Sequence, residues 1–112
     1  MITVKSKILK KYRKSGTNWY RYRVFLTGEP NELSNIKLVK YYLHESFANP
    51  IHVSSDRDSN FDIKLRGWGE YLIKIEIIDK LGNSFHGEYW LDLGFGFEKD
   101  KKTYPGKIKI TE

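Results

Sequence analysis

Tyr71-Leu72-Ile73-Lys74-Ile75-Glu76-Ile77-Ile78 decides the fold of this chain. Tyr71, Ile73, Ile75 and Ile77 fall on one side of an extended backbone, and Leu72, Lys74, Glu76 and Ile78 on the other. A period of two puts alternate side chains on opposite faces, so the segment reads as a strand with one buried face. The alternation recurs in both directions. Upstream, Val39, Tyr41 and Leu43 alternate with Leu38, Lys40 and Tyr42, and Phe61, Ile63 and Leu65 with Asp62, Lys64 and Arg66. Downstream, Phe85, Gly87, Tyr89, Leu91 and Leu93 alternate with His86, Glu88, Trp90 and Asp92, and Ile108 and Ile110 flank Lys109. Turn-forming residues separate these runs: Gly28-Glu29-Pro30-Asn31, Leu81-Gly82-Asn83 and Tyr104-Pro105-Gly106. No window of twelve residues carries a helical stripe. Seven or eight short strands at this spacing predict an all-β fold, an immunoglobulin-like antiparallel two-sheet β-sandwich. The longest connection, Ala48–Ser59, is polar and is expected to be a mobile loop.

The 112 residues suit a single domain over 1–112. With 39% hydrophobic and 15% aromatic residues, the chain can build a core without covalent staples. It has no cysteine, which fits a reducing compartment and excludes thiolate zinc sites. No apolar run approaches the roughly 18 residues of a membrane span, so no membrane contact is expected from this chain. The start, Met1-Ile2-Thr3-Val4-Lys5, lacks the apolar stretch of a secretion signal. The expectation is an intracellular protein, cytoplasmic rather than nuclear.

The net charge of +6 is unevenly placed. The first 28 residues hold eight Lys and Arg and no acid, while the remainder has a slight acidic excess. Two explanations stand side by side: lysine-guarded strand edges that resist aggregation, and a basic patch for an acidic partner. Lys14, Arg21 and Arg23 are the candidate patch. Near them, Tyr12, Trp19, Tyr20 and Tyr22 interleave with basic residues, a mixture that single-stranded nucleic-acid binders use.

Two stretches depart from strand grammar. In Leu43-His44-Glu45-Ser46-Phe47-Ala48-Asn49-Pro50 a strand ends, and a His, a Ser and an aromatic then gather in a loop whose exit Pro50 restricts. In Arg66-Gly67-Trp68-Gly69-Glu70-Tyr71 a large aromatic is flanked by glycines just before the strongest strand. Glycine allows a tight turn whose Trp covers the end of the core; it equally allows a ligand to approach the main chain.

The segments KLVKYYLHESFANP (37–50) and FDIKLRGWGEYLIKIEI (61–77), in this order, resemble the YEATS domain family. That family has a Leu-His-x-Ser/Thr-Phe loop, followed by a Gly-aromatic-Gly/Ala-x-aromatic turn into an Ile-rich strand. Tyr22-Arg23-Val24-Phe25-Leu26-Thr27-Gly28 resembles its Trp-x-Val-x-Leu-x-Gly strand, with Tyr22 in the Trp place. The resemblance covers roughly residues 18–80. It implies an immunoglobulin-like sandwich and a non-catalytic module that reads acylated lysine, acetyl or crotonyl, on histone tails in eukaryotes. By position it makes Phe47 and Trp68 two aromatic walls, His44 and Tyr71 channel lining, and Ser46 the hydroxyl beside the acyl amide. Gly67 and Gly69 flank the main-chain N–H groups at Trp68 or Gly69 that would donate to the acyl carbonyl. The family's further loop aromatic has no counterpart in Lys14-Ser15-Gly16-Thr17-Asn18; Trp19 is either an additional wall or strand surface. The Lys- and Ile-rich composition, with nothing like a nuclear signal, suggests a prokaryotic member. A basic domain should be repelled by a lysine-rich tail, which leaves the acylated protein or peptide partner unidentified.

Other chemistries are weaker. His44, His52 and His86 are too scattered for a metal signature, and no cofactor is expected. Ser46 and His44 are poorly spaced for a nucleophile and its base. Gly94-Phe95-Gly96-Phe97 lacks the third glycine and the following helix of a dinucleotide loop, and is expected to be a bulge or irregular edge. The alternatives to acyl-lysine reading are a protein–protein interaction domain with a degenerate slot, and single-stranded nucleic-acid binding by the basic N-terminal hairpin.

Overall fold

The computed structural model describes residues 1–110, which form eight strands and two short helices. The strands are β1 (Ile2–Lys14), β2 (Thr17–Thr27), β3 (Ile36–Tyr42), β4 (Ile51–Ser54), β5 (Ile63–Gly67), β6 (Leu72–Asp79), β7 (Ser84–Trp90) and β8 (Lys107–Ile108). One sheet has the order β5-β2-β1-β8 and the other β4-β3-β6-β7, with every pairing antiparallel. This is the expected immunoglobulin-like sandwich.

The core follows the alternation. Ile73, Ile75 and Ile77 of β6 are buried with Val39 and Tyr41 of β3 and, from the opposite sheet, Tyr22, Val24 and Leu26 of β2 and Ile63 of β5. The hydroxyl of buried Tyr41 donates to the Phe61 carbonyl at 2.5 Å, so its burial leaves no polar atom unpaired. At the β7–β8 seam, Ile108 lies against Gly87 so closely that a Cβ on Gly87 would fall inside the van der Waals envelope of Ile108 Cγ1. Gly106 turns the chain into β8 at φ +77°, a conformation suited to glycine.

Three expectations need correction. The stretch Ala48–Ser59 is not simply a mobile loop, because it contains β4, paired with β3 from Tyr42↔Ile51 to Val39↔Ser54. Beyond it, Phe61 N–H donates to the Asp56 carbonyl and Arg57 bonds Asn60 Oδ1, which ties down the next turn. The strand escaped notice because its pattern is inverted: Ser54 is its buried residue, while Ile51 and Val53 face outward on an edge. The lack of a twelve-residue helical stripe also concealed α1 (Pro30–Ser34) and α2 (Glu98–Thr103), each too short to show one. α1 begins with a capping box between Glu29 and Glu32 and a proline in its first turn. Finally, Gly94-Phe95-Gly96-Phe97 is a loop that does lead into a helix, α2, with both glycines at φ +84°.

Candidate functional site

Three segments meet at one end of the sandwich: the β3–β4 loop, the β5–β6 loop and the start of β2. Leu43 N–H donates to the Pro50 carbonyl at 2.7 Å and closes the base of the first loop. Within it, Phe47 N–H donates to the His44 carbonyl at 3.1 Å, folding the segment back on itself. His44 Nδ1 receives the Ser46 backbone N–H at 3.1 Å and lies 2.8 Å from Ser46 Oγ. A ring nitrogen that accepts an N–H carries no proton, so we assign the Ser46 hydroxyl as donor of the second bond. Its oxygen lone pairs then remain free to accept. This is no catalytic dyad: the Nδ1 lone pair is already shared with the loop's own backbone, and among the described residues no carboxylate hydrogen-bonds the ring to orient it.

The β5–β6 loop is held from behind by Glu70. Its carboxylate accepts the Trp90 indole N–H at 2.8 Å, the Leu93 N–H at 2.8 Å and the Phe95 N–H at 2.9 Å. With Glu70 so fixed, Trp68 is left 63% exposed. A Trp that merely capped the core would be covered. The flanking glycines are also not demanded by the fold. Neither has a positive φ; a Cβ on Gly69 would meet no protein atom within 4 Å, and one on Gly67 would make only ordinary contacts, 3.7 Å to Tyr22 Oη and 4.0 Å to Phe47 Cζ.

Beneath Gly67 the hydroxyls of Tyr22 and Tyr71 hydrogen-bond at 2.8 Å. Burial pushes Tyr22 up to about 12, partly offset by that bond, and burial together with Tyr22 raises Tyr71 above the ordinary tyrosine range. Both stay neutral at physiological pH. Tyr71 therefore turns its hydroxyl to the core and offers a ring, packed 5.4 Å from Phe47 and 6.4 Å from His44 between centroids.

These parts enclose a cleft of about 510 Å³, within the range of small-ligand sites. Trp19, His44, Ser46, Phe47, Gly67, Trp68, Gly69 and Tyr71 all line it. Trp19 belongs there because β2 and β5 are in register at Tyr20↔Gly67, which sets it level with the loop beyond Gly67. Arg66 and Ala48 also line the cleft and were not singled out from sequence. Nor was Glu70, since an acid between a glycine and a strand gives no pattern signal, and its partners lie at least 20 residues away. Of the candidate basic patch, Lys14 sits at the tip of the β1–β2 hairpin, opposite Thr17. Arg23 is engaged by Asp62 at 3.1 Å and the Ser59 carbonyl at 2.8 Å, and its guanidinium lies 4.1 Å over the Phe25 ring. Arg21 pairs with Lys10 on one side and Arg66 on the other.

Comparison with known proteins places the fold that carries this cleft. The chain is similar to the Yaf9 YEATS domain recognising an H3K122suc peptide, with 24% identity and a TM-score of 0.67 over 86% of this chain and 73% of that one. It is similar to the Yaf9 YEATS domain bound to H3K27ac, with 22% identity and a TM-score of 0.60 over 82% and 69%. The yeast AF-9 homolog protein Yaf9 gives 19% identity and a TM-score of 0.59 over 82% and 68%. At these identities the likeness is one of fold. No curated protein matches the chain. A family model for the prokaryotic YEATS domain, however, matches residues 20–92, which include both loops and the strands that carry them. The chain therefore belongs to the prokaryotic YEATS domain family.

Proposed function

We propose that this chain is a non-catalytic binding module whose cleft takes the flat amide of an acylated lysine. The carrying observation is the convergence, in one cleft, of exposed aromatic faces, a serine oxygen held ready to accept, and glycine-flanked backbone with open space beside Gly69. The YEATS domains of this fold recognising H3K122suc and bound to H3K27ac support it.

Acylation turns a lysine ammonium into a planar, uncharged amide. A plane slides between aromatic faces such as those of Trp68, Phe47 and Trp19, and such stacking is worth about 0.5–1.5 kcal/mol beyond area burial. Planar unsaturated chains such as crotonyl gain most. The amide must keep its hydrogen bonds inside the cleft, since an unpaired one costs about 1–3 kcal/mol. Ser46 Oγ, whose proton is directed to His44, accepts the amide N–H; a main-chain N–H at Trp68 or Gly69 donates to the acyl carbonyl. An unmodified lysine would have to desolvate its charge and is rejected. With few contacts, affinity falls in the micromolar range or weaker, on the order of 10⁻⁶ M or above.

Titration of acetyl- and crotonyl-lysine peptides, followed by Trp fluorescence, tests this. The expected result is a saturable change that is lost in Trp68→Ala and Phe47→Ala and is absent with unmodified lysine. A response that does not saturate, or that survives both substitutions, rules the proposal out.

A further inference from the structure

We propose that the acylated lysine lies in an acidic peptide segment, held by a cationic sheet face that begins at the cleft's own rim; the inference rests on the acyl-lysine reading of the cleft. On the outer face of β1, β2 and β5, two cross-strand rows consist wholly of basic residues. The first is Lys10–Arg21–Arg66 and the second Lys7–Arg23–Lys64, each residue in direct register with the next. Like charges opposite one another destabilise a sheet. Of these six side chains only Arg23 is within salt-bridge distance of a carboxylate among the described residues, Asp62 at 3.1 Å.

Guarding an edge does not explain the arrangement. Among the described residues β5 is an edge strand and β1 pairs with β8 only at Ile2 and Thr3, but Arg21 and Arg23 lie on β2, between them. A repulsion kept in the interior of a sheet, relieved among the described residues only where Asp62 meets Arg23, fits a surface that meets an anion. The face is also continuous with the cleft. Lys10, Arg21, Lys64 and Arg66 rim a groove of about 630 Å³ with Leu9 and Leu65, and Arg66 lines both that groove and the acyl-lysine cleft. A bulge between Ile8 and Lys10 disturbs the register at Leu9, which is left 48% exposed among the cations.

This chemistry favours a peptide over a nucleic acid. Single-strand binders stack bases on free aromatic faces. Here the groove has aliphatic side chains, Phe25 lies under the Arg23 guanidinium, and Trp19 lines the cleft. Aliphatic contacts with a cationic rim match an extended chain that mixes acidic and apolar residues. Neighbouring strands are about 4.8 Å apart, so the first row extends about 10 Å from Arg66, the length of roughly three extended residues. Acidic side chains within about four positions of the acylated lysine can therefore reach it.

The test uses three peptides titrated into the full chain at low salt: an acyl-lysine flanked by Asp and Glu, the same acyl-lysine flanked by Lys and Arg, and the acidic peptide without the acyl group. The acidic acylated peptide should bind about tenfold more tightly than the basic one, the order expected if two or three exposed ion pairs form. That ratio should shrink toward one at high salt in the unaltered protein, and at low salt in Lys10→Glu/Lys64→Glu, whose melting curve reports its folding. Equal affinity for both acylated peptides would overturn the acidic-segment proposal while leaving the cleft reading intact. Binding of the acidic peptide regardless of its acyl group would overturn both. Displacement of the acidic acylated peptide by an equal charge of DNA, with steeper salt dependence, would reassign the groove to nucleic acid.

Discussion

Gly87 and Gly69 are the same residue type with opposite justifications. At Gly87, in the β7–β8 seam, a side chain would collide with Ile108, whose Cδ1 would lie 2.8 Å from the new atom. At Gly69, in the β5–β6 loop, a side chain would meet nothing within 4 Å, and the backbone is not in the left-handed region. The first glycine is explained by what is inside the molecule. The second has no internal explanation, and beside it stands a Trp that the fold leaves exposed. The seam is built for packing, whereas the open space at the loop suits the ligand role proposed for it.

The sharpest way to break this comparison is to fill both positions. Gly87→Val should destabilise by about 3 kcal/mol, the upper part of the usual overpacking range, because the stem of Ile108 cannot swing aside. Chemical denaturation measures it, and pairing with Ile108→Ala should recover part of the loss. A smaller effect should mark where fold gives way to site. The Tyr22–Tyr71 pair lies just beneath Gly67 and keeps its protons to about pH 12 for Tyr22, whereas an unfolded tyrosine loses its proton near 10. Between those values the unfolded state binds fewer protons, so stability falls as pH rises, by roughly 2 kcal/mol for Tyr22 alone. Denaturant titrations across this window should show the slope in the parent protein and a shallower one in Tyr22→Phe.

Glu70→Ala should cost about 2 kcal/mol by removing the shared acceptor for Trp90, Leu93 and Phe95. Thermal melts measure it, and acyl-peptide affinity should fall with it, because the loop carrying Trp68 loses its anchor. The smallest effect on stability is expected at Gly69→Ala: about 0.5 kcal/mol, in the stabilising direction, since the unfolded chain loses freedom and the folded one suffers no clash. The same variant should weaken acyl-peptide binding about tenfold, because a methyl group then stands where the amide must approach its backbone donor. Unchanged binding in this variant would place the ligand elsewhere.

Much of the fold was legible because one face of nearly every strand is apolar. Ile73, Ile75 and Ile77 state their burial by position alone. β4 was missed for the converse reason: its apolar residues point outward and a serine points in. The two helices were missed because segments of five and six residues are too short to repeat the helical period. Within the site, His44, Ser46, Phe47, Trp68 and Tyr71 were legible as anomalies in strand grammar and through the resemblance they carry. Glu70 and Arg66 were not. Each acts through residues distant in sequence, Glu70 through the segment after β7 and Arg66 through its register with Arg21.

The sequence by itself determined the class of fold, the two loops that interrupt it and the excess of positive charge in its first 28 residues. These are local properties, written in the alternation and spacing of neighbouring residues. Only the tertiary structure decided that Trp19 joins the cleft, that Ser46 directs its proton to His44, and that Arg21 stands between Lys10 and Arg66. Strand register and loop closure are set by packing between segments tens of residues apart, and no local pattern contains them.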